Sequence, residues 1–314
     1  MPAIFRESEA YYVIGFERGT ANPKDVVRSI EVKVGRKGLR VTAQRSYVAP
    51  SSASGAPLVA ASVAPSTPDE ALSSLLPSAR KPLAMSVTPF ASPDASKAIA
   101  RVNVDARAFA HEDAAVPLQV SVMAVDPTGK VVASANQTST VSAAKSTAAN
   151  VNVQSHLELA PGEYEIRAAV SDPASSALAS VFSDVSIPKF ASTPLSVSGV
   201  MVDVAASATA TPTATTRRAF RRGEHVRAQM QIYQGTGRTE PIVPVSMRVQ
   251  ILDAKGGAVR DQSLPFAETA FTNRRADCVI TLPLSSLPTG DYLLKLEASA
   301  DRQTAGRALR FAVE

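Results

Sequence analysis

The residues best suited to metal or nucleophilic chemistry in this sequence are three histidines, one cysteine and a few turn aspartates. Their spacing assembles none of them into a working set. His111, His156 and His225 lack a second histidine or cysteine at i+2, i+3 or i+4, the spacings that place two ligands on one face of an element. His111-Glu112-Asp113 forms a polar run ahead of a strand and reads as a solvated turn, with a divalent-cation site as the alternative. Cys278 is the single cysteine, which excludes an intrachain disulfide and a cysteine metal cluster. It lies in the alternating run Asp277-Cys278-Val279-Ile280-Thr281-Leu282, where a small buried core residue is expected. No nucleophile elbow, phosphate loop or dinucleotide fingerprint occurs, and Gly235-Thr236-Gly237 lacks the third glycine and the following helix. These groups point to a non-enzymatic chain with no catalytic, cofactor-binding or metal residue to name.

Charge narrows the partners. The formal net charge is +5 over 314 residues, and no segment is basic enough to call for nucleic acid. The densest basic run is Arg217, Arg218, Arg221, Arg222 and Arg227, which reads as a solvated loop entering a strand, with an anionic surface as the alternative. The N-terminus has no positive region leading into an apolar stretch, so no signal peptide is read there. No window approaches the roughly 18 apolar residues of a transmembrane segment. A protein partner is the expectation, with the oligomeric state open.

The elements that carry these residues come in two copies. Val116-Pro-Leu-Gln-Val-Ser-Val-Met-Ala-Val-Asp126 aligns with Val243-Pro-Val-Ser-Met-Arg-Val-Gln-Ile-Leu-Asp253 at an offset of 127 residues. Asp126-x-x-Gly129 then meets Asp253-x-x-Gly256, and Pro161-Gly162-Glu163-Tyr164 meets Thr289-Gly290-Asp291-Tyr292 one residue further on. Arg101-Val-Asn-Val104 meets Gln229-Met-Gln-Ile232 upstream. Four blocks in one order at nearly one spacing mark a tandem repeat. Val120, Val122 and Ala124 alternate as on a half-buried strand. Asp-x-x-Gly is a turn, with the aspartate bonding its own backbone and glycine supplying positive φ, and Val131-Val132 opens the return strand of a hairpin. About seven strands per copy and 22 prolines against 15 glycines predict a mostly β fold.

The expected architecture is two tandem antiparallel β-sandwiches, residues 85-190 and 191-314. Residues 49-84 read as a Pro/Ala/Ser linker ending in a short helix, with Thr67 as its cap and Leu72, Leu75 and Leu76 as an apolar stripe. Residues 205-216, Ala/Thr-rich, read as a mobile loop. Similar Tyr-after-turn blocks recur in immunoglobulin-like and fibronectin-like domains, where an inward tyrosine packs across two sheets.

Residues 1-48 stand outside the repeat. Tyr11-Tyr-Val-Ile-Gly-Phe16 is an apolar strand, and Val26–Val34 alternates and pairs with Leu39–Arg45 across Gly35-Arg-Lys-Gly38. These runs, with Arg45-Ser-Tyr-Val-Ala-Pro50, resemble the C-terminal end of the von Willebrand factor A-related domain of acidobacterial type, followed by its basic β-hairpin and Pro-rich exit. The resemblance implies the remnant of an α/β domain with the hairpin at its end, and an adhesion-type protein of the periplasm or cell exterior. The family's metal site begins with an Asp-x-Ser-x-Ser motif that this sequence does not contain, so no site residue is carried over. A structural, protein-interaction role follows, with carbohydrate binding or a calcium-stabilised adhesive sandwich as alternatives.

Overall fold

The computed structural model describes residues 65–74, 76–110, 115–141, 151–205, 207 and 209–314, with the backbone of Val27–Ser29 (β1) paired antiparallel to Ser46–Val48 (β2). The readings of His111-Glu112-Asp113, of Leu75, of most of residues 1–48 and of the linker through residue 64 fall outside these residues.

The first repeat folds as seven strands: β3 (Ala84–Ala91), β4 (Ala98–Asp105), β5 (Val116–Val125), β6 (Val131–Val141), β7 (Asn152–Leu159), β8 (Gly162–Asp172) and β9 (Ala177–Ile187). They form a three-stranded sheet, β3-β4-β7, against a four-stranded one, β6-β5-β8-β9, antiparallel throughout. Period-two alternation explains the core directly. Ala98, Ala100, Val102 and Val104 from one sheet meet Leu118, Val120, Val122, Ile166 and Val170 from the other.

The second repeat keeps this plan and adds to it. A split first strand, β10 (Ser196–Val197) and β11 (Met201–Ala205), pairs with β14 (His225–Tyr233), whose other edge pairs with β17 (Arg275–Thr281). The facing sheet runs β13 (Ala219–Phe220), β19 (Gln303–Val313), β18 (Gly290–Ala300), β15 (Val245–Asp253), β16 (Ala258–Phe266). Ten strands thus replace the seven expected. The excess comes from the split strand, from β12 (Thr213–Ala214), which turns back on β11, and from β13, which crosses to lie parallel to β19. The predicted mobile loop is therefore in part a hairpin, with Ala214 and Thr215 buried. Its low apolar content hid this, because the backbone pairs it makes need no large side chain.

The aligned blocks occupy equivalent places. Both long hairpins carry a register shift at the aligned step, between Ala124 and Val125 and between Ile251 and Leu252. Asp126 Oδ1 accepts from the N–H groups of Thr128 and Lys130, and Asp253 Oδ1 from those of Lys255 and Gly257. Gly129 and Gly256 close the turns at φ +86° and +84°, where a Cβ would be strained. Tyr164 donates its hydroxyl proton to the Ala160 carbonyl (3.1 Å) and Tyr292 to that of Pro288 (2.8 Å), each four residues upstream.

The Thr128 hydroxyl, followed by the Lys130 N–H, holds the exposed Asp126 carboxyl below the usual carboxylate range. A depressed folded-state value stabilises the fold above the unfolded pKa, and this contribution is lost as pH falls through the folded one. The advantage of wild type over Asp126→Asn in urea unfolding is therefore expected to be constant near pH 7 and to shrink below pH 4. An advantage that grows on acidification would contradict this account of the turn.

Helix α1 (Pro68–Ser73) has the predicted cap. Thr67 Oγ1 accepts from the Glu70 N–H, and the Glu70 carboxylate accepts from the Thr67 and Ser66 N–H groups, a closed capping box. The apolar stripe is shorter than expected: Ala71 and Leu72 pack on Ala169 and Leu178, but Leu76 lies beyond the helix end and is 63% exposed. What holds the helix end is Arg167. Its guanidinium donates to the Leu72 and Ser74 carbonyls (2.6 and 3.1 Å), pairs with Glu165 and lies 4.5 Å from the Phe182 ring centre. A cation at a helix C-terminus satisfies carbonyls that the helix itself cannot. Arg167→Ala is expected to cost about 1–3 kcal/mol. The loss should be local, visible as faster hydrogen exchange at the amides of 71–74 while β5 and β8 stay protected.

Candidate functional site

The junction between the sandwiches concentrates the polar and aromatic side chains that neither core accounts for. Period two sends Val226, Ala228, Met230 and Ile232 of β14 inward, so Tyr233 at its end points out of its own sandwich. It enters the other one. Tyr233 is fully buried within the first sandwich's apolar cluster, its ring 4.9 Å from Phe190 of the connecting segment. Its hydroxyl accepts from the Ala91 N–H of β3 (3.1 Å) and donates to Gln231 Oε1 (2.5 Å). Burial pushes the phenol up to about 12.

Backbone bonds close the rest of the joint. Thr236 and Gly237 donate to the carbonyls of Phe190 and Ala191 (both 3.1 Å), and Gly199 donates to that of Pro89 (3.1 Å). Gly199 is required by proximity, since a Cβ there would sit 2.8 Å from Thr88 Cγ2 and 3.1 Å from Pro89 Cδ. Arg274 fixes the 234–243 loop by donating to the carbonyls of Gln234, Gly235 and Glu240.

Beside this joint lies a cleft of about 250 Å³ between Phe90 and Arg101 of the first sandwich and Met201, Gln229, Gln231 and Asp277 of the second. The Arg101 guanidinium lies 4.6 Å from the Phe90 ring centre, and Gln231 donates to Asp277 (2.7 Å). The cleft offers hydrogen bonds and apolar surface but no activated nucleophile. Cys278 is 1% exposed and its thiol is pushed up to about 11 by burial, so it is a packing residue. Farther along the same sheet face, burial pushes the Asp203 carboxyl up, opposed by Arg227 at 3.9 Å and a hydrogen bond from Gln229.

The sequence candidates lie apart from this junction. His156 and His225 are exposed on different sandwiches. Among the described residues no group of three His, Cys, Asp or Glu is clustered. The arginine run is not one solvated surface. Arg217 makes a paired bond to Glu224 (2.9 Å each) and covers the Phe220 ring, while Arg218 is half-buried and donates to three carbonyls. Arg227 serves Asp203, and Arg221 and Arg222 remain exposed. Sequence reasoning passed over Tyr233, Phe190 and Gly199. The available signal was an aromatic at the outward phase of a strand end, which alternation reads as ordinary surface.

No protein-family model matches the chain, and no curated protein matches it. Solved structures similar to parts of it include dimeric latent PorU from Porphyromonas gingivalis, at 14% identity and TM-score 0.31 over 74% of this chain and 20% of that one. A putative β-galactosidase from Bacteroides fragilis matches at 9% identity and TM-score 0.25, over 68% of this chain and 32% of that one. The α-2-macroglobulin of E. coli matches at 11% identity and TM-score 0.23, over 78% and 15%. The chain thus spans a third or less of each.

Proposed function

We propose that this chain is a non-enzymatic structural and protein-interaction element, a stiff pair of immunoglobulin/fibronectin-like sandwiches that spaces or presents an upstream von Willebrand A-like portion of an exported, adhesion-type protein. The observation that carries the reading is Tyr233, a residue of one sandwich built into the core of the other. A joint of this kind suits a spacer, because a flexible tether would leave each core closed on itself. The family-level reading of the sandwiches draws on the three-on-four strand division of the first and on the paired tyrosines that bond back to a carbonyl at the start of β8 and β18. The exported location follows from the resemblance of residues 1–48. Among the described residues no helix is long and apolar enough to cross a membrane.

The rival readings find less to stand on. A sugar platform uses exposed aromatic faces, and every Phe and Tyr from Phe90 onward is buried or half-buried. The turn carboxylates Asp126 and Asp253 accept from their own turns' N–H groups, which is the structural role their repetition suggested. The test is the genomic reading frame upstream of Met1. A continuous frame carrying a signal peptide and an Asp-x-Ser-x-Ser motif is the expected result. A stop codon directly upstream would leave nothing to present and overturn the reading.

A further inference from the structure

Small-molecule sites gather where two modules meet and a concave surface offers a few converging polar groups. The cleft beside the Tyr233 joint is such a place, and strand alternation sets its walls. Ala100 and Val102 of β4 enter the first core, so Arg101 between them points outward. Ala228, Met230 and Ile232 of β14 enter the second core, which turns Gln229 and Gln231 outward. Cys278 of β17 does the same for Asp277 and Val279. These outward residues line opposite sides of the cleft of about 250 Å³. Arg101 and Gln229 are aligned positions of the repeat, so equivalent strand faces of the two copies supply the two walls.

The walls carry opposite charges that do not pair with each other. Arg101 is exposed, with its guanidinium over the buried Phe90 ring, and among the described residues its N–H donors have no acceptor. Across the cleft Asp277 is exposed as well. One of its oxygens accepts from Gln231 (2.7 Å), and the other has no partner among the described residues. Gln229 donates to Asp203, which leaves its own oxygen as an acceptor. After burial, which dominates the Tyr233 phenol, Asp277 raises that group and Arg101 lowers it, so both charges lie within reach of one hydroxyl.

An anion alone in this cleft would meet Asp277, and a cation alone would meet Arg101. A molecule carrying both charges close together answers both walls. We propose that the cleft binds a zwitterion of the α-amino-acid class. Its carboxylate accepts from the Arg101 guanidinium, whose fork of donors matches a carboxylate. Its ammonium donates to Asp277 and to Gln229 Oε1, and an apolar side chain rests on Met201 and Val279, the latter 51% exposed. The Phe90 ring beneath Arg101 holds the guanidinium in place before the ligand arrives, which lowers the ordering cost of binding. The volume falls below the roughly 300–1,000 Å³ of drug-sized sites and suits a molecule of this size. An affinity on the order of millimolar is expected for so few atoms. The inference is independent of the spacer reading, since a stiff joint needs no ligand.

The test is an amide chemical-shift titration of the full chain with leucine, with N-acetylleucine, which lacks the ammonium, and with leucinamide, which lacks the carboxylate. Leucine is expected to shift amides of β4, β14 and β17 around the cleft in a saturable way. Each analogue should bind about tenfold more weakly or worse, having lost one charge-assisted contact. Arg101→Gln should bring leucine to the level of leucinamide, and Asp277→Asn to the level of N-acetylleucine. Both positions are exposed, asparagine keeps an oxygen for Gln231, and an unchanged urea midpoint checks that both variants fold. No saturable shift at millimolar leucine would overturn the proposal. So would equal binding of N-acetylleucine or leucinamide, the mark of a site for a peptide terminus, or a leucine affinity indifferent to either substitution.

Discussion

Tyr233→Ala is expected to cost about 3–5 kcal/mol, the range for emptying an aromatic site in a packed core. The side chain is fully buried, and its loss opens a cavity in the first sandwich although the residue belongs to a strand of the second. It also removes the partners of the Ala91 N–H and of Gln231 Oε1. The consequence beyond the midpoint is cooperativity. Wild type should unfold in one calorimetric transition, and the variant in two, because the shared residue that makes each core depend on the other is gone. Tyr233→Phe separates the contributions. It keeps the ring on Phe190 and loses the hydroxyl, with an expected cost of about 1–3 kcal/mol. The phenol is raised from 10 to about 12 in the fold, so the hydroxyl's contribution is whole below pH 10 and lost as pH rises through about 12. A cost for Tyr233→Ala within about 0.5 kcal/mol, the range of an ordinary surface change, would contradict the joint.

Phe220→Ala carries a comparable expectation, about 3–5 kcal/mol. Phe220 is fully buried in the second core, under the Arg217 guanidinium at 5.5 Å. Its strand is held to β19 by Ala312 N–H to Arg218 carbonyl (2.7 Å) and Glu314 N–H to Phe220 carbonyl (2.9 Å). Once the ring is gone, these edge bonds alone have to hold β13, and the segment from β12 to β14 should exchange amide hydrogens rapidly. Urea unfolding measures the first effect and hydrogen exchange the second. The combined variant with Arg217→Ala should cost less than the two single changes together, because both act on one contact. Near-neutral Phe220→Ala would mean the segment is the loop its composition suggests.

The contrast between these residues shows what the chain discloses unaided. Alternation in Val245 to Ile251 and the repeated Asp-x-x-Gly and Gly-acid-Tyr blocks are local signals, and each falls on the strand or turn it implies. The capping box at Thr67 is equally local. Phe220 was obscured because four arginines surround it and drew the reading toward charge. Tyr233 was obscured because period two reports only in or out of one sheet. It does not say that the outward side meets another module. The same limit applies to Met123, which packs against the apolar cluster of α1. Its aligned partner Gln250 bonds instead to the exposed Asp261. The candidate site was the less legible part, since it is made by juxtaposing elements more than 100 residues apart, as in the bond from Ala91 to Tyr233.

Residual dipolar couplings of backbone amides in the full chain test most directly whether the two sandwiches move as one rigid body. A joint closed by Tyr233, Gly199 and the 234–243 loop predicts that a single alignment tensor fits the strands of residues 84–187 and 196–313 together. Two tensors of different magnitude or orientation would show modules moving independently, and the spacer account would fall with the joint.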